Sequence, residues 1–348
     1  MTQFIVLRLL HTILILFGVS VVAFSLIHLI PGNPLDILLP PEAPKEVVER
    51  LKVEFGFDKP LYLQYLAWLG RVMSGNLGTS VFTGLQVTGQ LFNALGNTFV
   101  LAIPAALLGF SLGTTLGTLA AFNHGRALDK VFSVISILGL SMPHYWLGIA
   151  LVIVFAVIWP VLPAAGMGGT GGLPTSWEEL RCLILPVVTL SMIPMGVIGR
   201  LVRSTVLEVI SQEFPTALEA KGLRRRRVVL HVLKNAAPPA LAIMGLQLGY
   251  LVGGSILVET VFNWPGSGQF MNLAIFRRDI PVLQGTVVVL ASFFVLINLA
   301  VDVMQALIGP RMRRWPPWSI LPPYRPPWHS MSHKAPSRAA IGARSPIV

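Results

Sequence analysis

Six long apolar runs constrain this chain more than any other feature of its sequence. They cover residues 9–30, 97–121, 131–159, 183–198, 239–262 and 282–308. A helix needs roughly 20 predominantly apolar residues to cross a bilayer, and all the runs except the fourth reach that length. Only 12% of the 348 residues are charged, whereas a soluble domain carries about 25%. The sequence therefore predicts an all-α integral membrane protein with six transmembrane helices.

The distribution of basic residues predicts how the chain is oriented. With both termini in the cytoplasm, 18 of the 26 Lys and Arg residues lie on the cytoplasmic side and 8 on the external side. The opposite orientation would invert this ratio and break the positive-inside rule. A poor signal-cleavage site, Pro31-Gly32-Asn33-Pro34, follows the first run. We therefore expect an uncleaved first helix whose N-terminus is cytoplasmic.

Charge and cysteine content exclude several classes of function. The net charge of +11 would suit a nucleic-acid-binding protein. However, the basic residues lie between and after the apolar runs, and no basic stripe is interleaved with aromatic residues. We expect membrane lipid as a partner and no nucleic acid. Cys182 is the single cysteine, so no intrachain disulfide can form. The sequence indicates no catalytic residues and no metal site.

Composition divides the chain into four segments. Residues 1–30 hold the N-terminus and the first helix, and residues 31–96 form an external segment with two short helices, near 42–55 and after Pro60. Residues 97–308 form a core of five membrane helices with a cytoplasmic loop at 206–237. The Pro- and Trp-rich tail, residues 309–348, is expected to be cytoplasmic and disordered.

Small residues and prolines within the runs predict how the helices pack. Glycines recur at four-residue intervals in the second run, and four more lie in the fifth, a pattern that permits close helix contact in membranes; they are Gly109, Gly113, Gly117, Gly245, Gly249, Gly253 and Gly254. Pro143 removes a backbone hydrogen bond and is expected to kink the third helix. His144 beside it either packs between helices or lines a pathway.

Two acidic residues near the ends of runs raise the question of function, because ionisable groups in membranes often have one. Glu259 lies near the external end of the fifth run, and we expect it to cap the following turn. Asp302 lies one helical turn from Asn298 on the same face of the sixth run. We expect Asp302 to meet an arginine or a backbone donor near the cytoplasmic surface.

The 213–235 segment, between the fourth and fifth runs, is too polar to lie in the bilayer. One arginine at the bilayer centre costs roughly 2.5–3.5 kcal/mol, so Arg224 to Arg227 together would cost on the order of 10 kcal/mol. Pro215 can occupy the first turn of a helix, and Gly222 can end one. The sequence predicts a short helix, a glycine joint and a second short helix.

This segment also resembles the "EAA loop" of ATP-binding-cassette importer permeases. The resemblance rests on Ala217, Ala220, Lys221, Gly222, His231, Leu233 and Asn235. The Ala-Lys-Gly ending is similar to the binding-protein-dependent branch that contains dipeptide, oligopeptide, nickel and glutathione permeases. Thr216 replaces the namesake glutamate, and the spacing from Gly222 to His231 is one residue shorter than usual. The turns at 75–80 and 258–262 resemble external segments of the same branch.

The resemblance implies the type I importer permease fold and a set of partners. In that family the loop docks on a cytoplasmic ATPase, which makes the following residues the expected coupling site: Glu213, Phe214, Ala217, Ala220, Lys221, Gly222, His231 and Asn235. The chain contains no Walker A sequence, so ATP with Mg²⁺ would be used by partner subunits and no cofactor by this chain. The implied partners are a second, homologous permease, two ATPase subunits and an external solute-binding protein.

The substrate follows from the resemblance only in outline. Dipeptides or oligopeptides are the commonest substrates of the branch, and nickel, glutathione or another small solute remains an alternative. An ion-driven secondary transporter would favour inverted repeats and paired intramembrane charges, and neither is evident. A membrane metalloprotease would carry His-Glu-x-x-His, which is absent. No substrate-binding residue can be assigned from the sequence.

Overall fold

The computed structural model describes residues 2–29, 59–169 and 171–308. Within these ranges the chain is helical, and its helices are α1 (Thr2–Leu29), α2 (Leu61–Met73), α3 (Val87–Phe122), α4 (Ala127–Ser141), α5 (His144–Val152), α6 (Trp177–Ile210), α7 (Glu213–Ala220), α8 (Arg225–Gly254), α9 (Ile256–Val261), α10 (Ser267–Arg277) and α11 (Ile280–Ile308). A π-helix, Ile153–Ile158, continues α5. The helix expected near 42–55 and the tail lie outside the described residues.

Membrane-spanning helices account for most of this length. Five stretches are long and apolar enough to cross a bilayer, namely α1, α3, α6, α8 with α9, and α11. The pair formed by α4 and by α5 with its π-helix passes the same test only as a unit, and it makes a sixth span when its two halves, which differ by 101°, are counted as one broken helix. Pro143 was expected to kink this span, and it breaks it instead. Its backbone is extended, with φ −60° and ψ 136°, and proline also disfavours the helical conformation of the preceding residue.

The helices extend past the apolar runs that predicted them. The second helix begins at Val87 rather than residue 97, and the fourth spans Trp177–Ile210 rather than 183–198. Helical hydrogen bonds continue through polar residues, because a run of apolar residues marks the part inside hydrocarbon and not the end of the helix.

The pair α3 and α6 forms the centre of the fold, and small residues bring their backbones together. A Cβ atom added to Gly109 would lie 2.8 Å from the carbonyl oxygen of Ser191, and one added to Gly113 would lie 2.8 Å from that of Met195. Gly117 likewise meets the backbone of α6. The expected close packing of this glycine stripe is confirmed.

Only some of the glycines of the fifth run lie at a close contact with another helix. Gly245 faces Val301 of α11, and a Cβ atom on Gly249 would lie 2.8 Å from the ring of Phe294. Gly253 faces open space, with no atom within 4 Å of an added Cβ. The expected four-glycine face therefore holds for Gly245 and Gly249, and it does not extend to Gly253 or to Gly254, whose added Cβ would meet only Tyr250 of the same helix.

Glu259 ties three helices together just beyond the C-terminal end of α8. Its carboxylate is fully buried, and it accepts hydrogen bonds from the hydroxyls of Ser255 (2.6 Å) and Thr98 (2.8 Å). It also accepts from the backbone N–H groups of Gly268 (2.7 Å) and Gln269 (3.0 Å), in the first turn of α10. The capping role expected for Glu259 is confirmed.

Asp302 joins the C-terminal part of α11 to the N-terminal part of α1. One of its carboxylate oxygens lies 2.7 Å from Nη1 of Arg8. The expected arginine partner is confirmed, and it comes from α1, nearly 300 residues earlier in the chain. Asn298, one turn away, donates to the carbonyl of Phe294 instead.

A second buried acid, which the sequence did not single out, fixes the turn between α2 and α3. Asp279 is 3% exposed and lies between α10 and α11. It accepts from the hydroxyl of Ser80 at 2.5 Å and from the backbone N–H groups of Val81 and Phe82 at 3.3 Å. The turn after the 75–80 motif is therefore docked on the membrane core.

Candidate functional site

The candidate site is built on α7, whose start is set by local sequence. Gln212, the residue before the helix, has an extended backbone with φ −73° and ψ 160°. Pro215 is the third residue of the helix and is buried. Its missing N–H costs nothing there, because the first N–H groups of a helix have no partner within the helix. The short helix expected from Pro215 is confirmed.

Gly222 ends α7 in a left-handed conformation, with φ +76°. Its N–H donates to the carbonyl of Glu219 (2.9 Å), and the N–H of Leu223 donates to the carbonyl of Leu218 (3.2 Å). These two bonds make a Schellman turn, which satisfies carbonyls at the helix end. No atom lies within 4 Å of a Cβ added to Gly222. The glycine is therefore required for its backbone conformation and not for lack of space.

The prediction of a second short helix after Gly222 is wrong. The chain instead enters α8, a single helix of 30 residues that contains Pro238 and Pro239. Val228, Val232 and Ala236 are buried at four-residue spacing along one face. This buried face continues across the boundary that the apolar run placed at residue 239. Packing holds the helix together through the prolines, as happens in membrane helices whose neighbours support them.

A hydrophobic cluster anchors α7 to the helices on either side. It contains Val202, Val206 and Val209 of α6 and Val232 of α8, and the half-buried Phe214 of α7 packs against it. Phe214 was expected among the groups presented to a partner. In this structure it contacts its own chain, so its main effect is to fix α7 on the ends of α6 and α8.

The site stands well clear of the hydrocarbon. With 34 and 30 residues, α6 and α8 are about 51 Å and 45 Å long, whereas the hydrocarbon core measures about 30 Å. The surplus of α8 lies in its first turns, because Arg225 to Lys234 carry charges that cannot enter lipid tails. Arg225 precedes the apolar run at residue 239 by 14 residues, so α8 extends about 21 Å before that run, and α7 is carried at its start.

The remaining expected site residues lie on the surface of this projection. On α7 and its C-terminal turn, the expected residues that are exposed are Glu213, Ala217, Ala220 and Lys221. On α8, His231 and Asn235 are exposed and one turn apart, and the Asn235 amide donates to the carbonyl of His231 at 2.8 Å. A helix with two exposed alanines presents a smooth face that another protein can approach closely.

A polar cluster that the sequence did not predict braces the same end of the molecule. Asp129 is 4% exposed, and it accepts from Nη2 of Arg203 at 2.9 Å and from the N–H of Gly125 at 3.0 Å. His124 Nδ1 lies 3.0 Å from the same carboxylate. These residues had indicated orientation only. The sequence did offer one signal for a buried ion pair, because Asp129 is a single acid among basic residues at the start of a span.

His144, which was expected either to pack between helices or to line a pathway, is half-buried and contacts a second helix. Its ring lies 6.4 Å from that of Tyr250 and is stacked on it, which places it between α5 and α8.

Five apolar spans, or six with the bent pair counted as one, and a short helix carried at the ends of two of them are typical of a multi-pass membrane protein with a surface open to a partner. The sequence profile described as "Binding-protein-dependent transport system inner membrane component" matches residues 113–314. The profile for the N-terminal part of such components matches residues 1–100. The chain belongs to this family of importer permeases, and it is a multi-pass inner membrane protein.

Curated relatives match over nearly their whole length. The dipeptide transport system permease protein DppB of Alkalihalophilus pseudofirmus is 36% identical over 325 residues, covering 88% of this chain and 98% of the relative. DppB of Escherichia coli K12 is 34% identical over 336 residues, covering 90% and 99%. The glutathione transport system permease protein GsiC of Escherichia coli O6:H1 is 36% identical over 314 residues, also covering 90% and 99%.

A solved structure supports the fold. The inward-facing MetNI methionine ABC transporter contains a chain that superimposes with a TM-score of 0.52 at 22% identity, covering 63% of this chain and 96% of that one. The expected type I permease fold is confirmed. Family membership also favours an ATP-driven importer over the ion-driven transporter considered from the sequence.

Proposed function

We propose that this chain imports dipeptides or oligopeptides that an external solute-binding protein delivers to it. Similarity of 34–36% to permeases named for dipeptide and glutathione transport supports a small-peptide substrate. Two ATPase subunits, which bind ATP and Mg²⁺, would drive the transport. Both termini lie in the cytoplasm in this proposal, because the site that meets the ATPase must lie on the side where ATP is available.

The observation that carries the proposal is the position of α7 at the ends of α6 and α8. Phe214 and the valine cluster fix α7 to both helices, and the Schellman turn at Gly222 connects it directly to α8. A displacement of α7 by a closing ATPase would move the ends of two transmembrane helices. The exposed face with Ala217 and Ala220 would enter the ATPase groove, and Glu213, Lys221, His231 and Asn235 would contact its rim.

The number of docking helices also bears on the assembly. One chain contains one α7, so a pair of ATPases requires a second permease with a matching helix. Each ATPase would then act on one permease, and the two permeases would alternate between outward and inward access. We assign the second position to a homologous permease.

Transport by the purified complex tests the proposal. The permease is co-purified with its associated subunits, reconstituted in vesicles and supplied with labelled dipeptide, tetrapeptide, glutathione or nickel. We expect ATP-dependent uptake of the peptides that requires the binding protein. Uptake of nickel alone would overturn the peptide assignment, and uptake driven by an ion gradient without ATP would overturn the importer mechanism.

The docking surface has its own test. Ala217→Trp places a large side chain on the exposed face of α7 without touching the buried cluster. We expect the variant to fold and insert normally and to lose association with the ATPase. Ser204→Trp, at an exposed position on α6, is the control, because the neighbouring Thr205 faces partly inward. Equal loss in both variants would contradict a specific role for α7.

A further inference from the structure

Four consecutive arginines, Arg224 to Arg227, form an exposed basic patch at the start of α8. Arg224 is the residue before the helix, and the other three occupy its first turn, which contains no acidic residue. Within the described parts of the chain, none of the four forms an ion pair.

The patch is electrostatically unfavourable in the isolated subunit. Like charges repel within it, and the N-terminus of a helix is the positive end of its dipole, where anions are preferred. Six basic and two acidic residues make up the charge of the 213–235 segment. The arrangement is stabilised only when an anionic surface approaches the end of α8.

Distance separates the two candidate anions, lipid phosphate and acidic protein. Arg225 precedes the apolar run at residue 239 by 14 residues, which is about 21 Å along a helix. The headgroup layer occupies only about 5–8 Å beyond the hydrocarbon. More than about 10 Å therefore separates Arg225 from the headgroup layer. This distance exceeds the Debye length, which is about 8 Å at physiological ionic strength. The position of the patch therefore favours a protein partner.

We propose that Arg224 to Arg227 bind an acidic surface on the ATPase, beside the groove that receives α7. The inference rests on the proposed function, because it assigns the patch to the same partner as α7. The exposed face of α7 supplies close packing, and the arginines supply long-range attraction. Charges at the rim of an interface mainly accelerate association and fix orientation, so the patch directs the ATPase onto α7 in the correct register.

Zero-length cross-linking in the assembled transporter tests the contact directly. Arg225→Lys and Arg226→Lys keep the charge and introduce amines that a carbodiimide can join to a carboxylate. We expect an amide between either position and an Asp or Glu of the ATPase, identified by mass spectrometry. The native Lys130, exposed in the first turn of α4, is the internal control. Absence of such an amide in an assembled complex would overturn the proposal.

Association kinetics separate the protein from the lipid. The permease with all four arginines changed to Gln is placed in nanodiscs of phosphatidylcholine alone, or with phosphatidylglycerol, and mixed with ATPase. We expect about tenfold slower association than wild type in both lipids at low salt, and a difference that disappears near 0.5 M salt. The four-Lys variant should retain the wild-type rate, which guards against misfolding as the cause.

Two outcomes would reject the inference while keeping the function. A loss confined to phosphatidylglycerol nanodiscs would assign the patch to lipid, and wild-type association of the four-Gln variant would leave the patch without this partner. In both cases Ala217→Trp would still abolish docking. If Ala217→Trp also associates normally, the proposed docking on α7 fails as well.

Discussion

Gly222 offers the sharpest test of how the α7 site works, because its backbone conformation is left-handed and no neighbouring atom contacts an added Cβ. At φ +76°, a residue with a Cβ meets a conformational cost, and no neighbouring atom adds to it. That cost is roughly 1–2 kcal/mol for an ordinary L residue and less for Asn. It corresponds to a change of about 5- to 30-fold in the population of the Schellman turn.

The structure therefore predicts a graded series at this position. Gly222→Asn should couple almost as well as wild type, Gly222→Ala should lose part of its coupling, and the β-branched Gly222→Val should lose most. The assay measures peptide uptake and ATP hydrolysis in the same vesicles, and the ratio of the two is the readout. Uptake per ATP should fall along the series while membrane insertion stays constant, because the turn joins α7 to α8 and lies outside the bilayer.

Gly125 provides a matched control. It also has a left-handed backbone, with φ +77° and no atom near an added Cβ, and it lies in the turn between α3 and α4. Gly125→Val should cost similar stability and keep the wild-type ratio of uptake to hydrolysis. A Gly222→Val variant with wild-type uptake per ATP, or equal losses at both glycines, would refute the role assigned to the turn.

Three further predictions concern the frame that supports this site. Glu259→Ala should destabilise the protein by about 2–5 kcal/mol, since two buried N–H groups lose their acceptor, whereas Glu259→Gln should cost only about 1 kcal/mol; equal melting temperatures for the two variants would contradict this. Gly113→Ala should cost about 1–3 kcal/mol by overpacking, while Gly96→Ala, on the same helix with open space around it, should be neutral; thermal unfolding in detergent compares them. Asp129→Asn should lower the free energy of unfolding by about 1–2 kcal/mol, because its partner Arg203 is a quarter exposed. Adding Arg203→Lys to this variant should restore none of the lost stability.

The sequence by itself determined what depends on solvent and on local backbone chemistry. Apolar runs predicted the membrane spans because hydrocarbon excludes charge. Pro215 and Gly222 predicted the start and end of α7 because the first turn tolerates proline and a left-handed residue favours glycine. Glu259 could be assigned to a cap because the groups it bonds, apart from Thr98, lie within ten residues of it.

Tertiary structure decided every feature that joins distant parts of the chain. The pairing of Asp129 with Arg203 spans 74 residues, and the acid alone does not identify its partner. Phe214 looked like a contact for another protein, but the valine cluster turns it inward. Hydropathy placed the start of the fifth span at residue 239, whereas α8 begins at Arg225, because its polar first turns are held by packing against α6. A linear pattern reports which solvent a residue prefers, and only the folded chain determines which neighbour it meets.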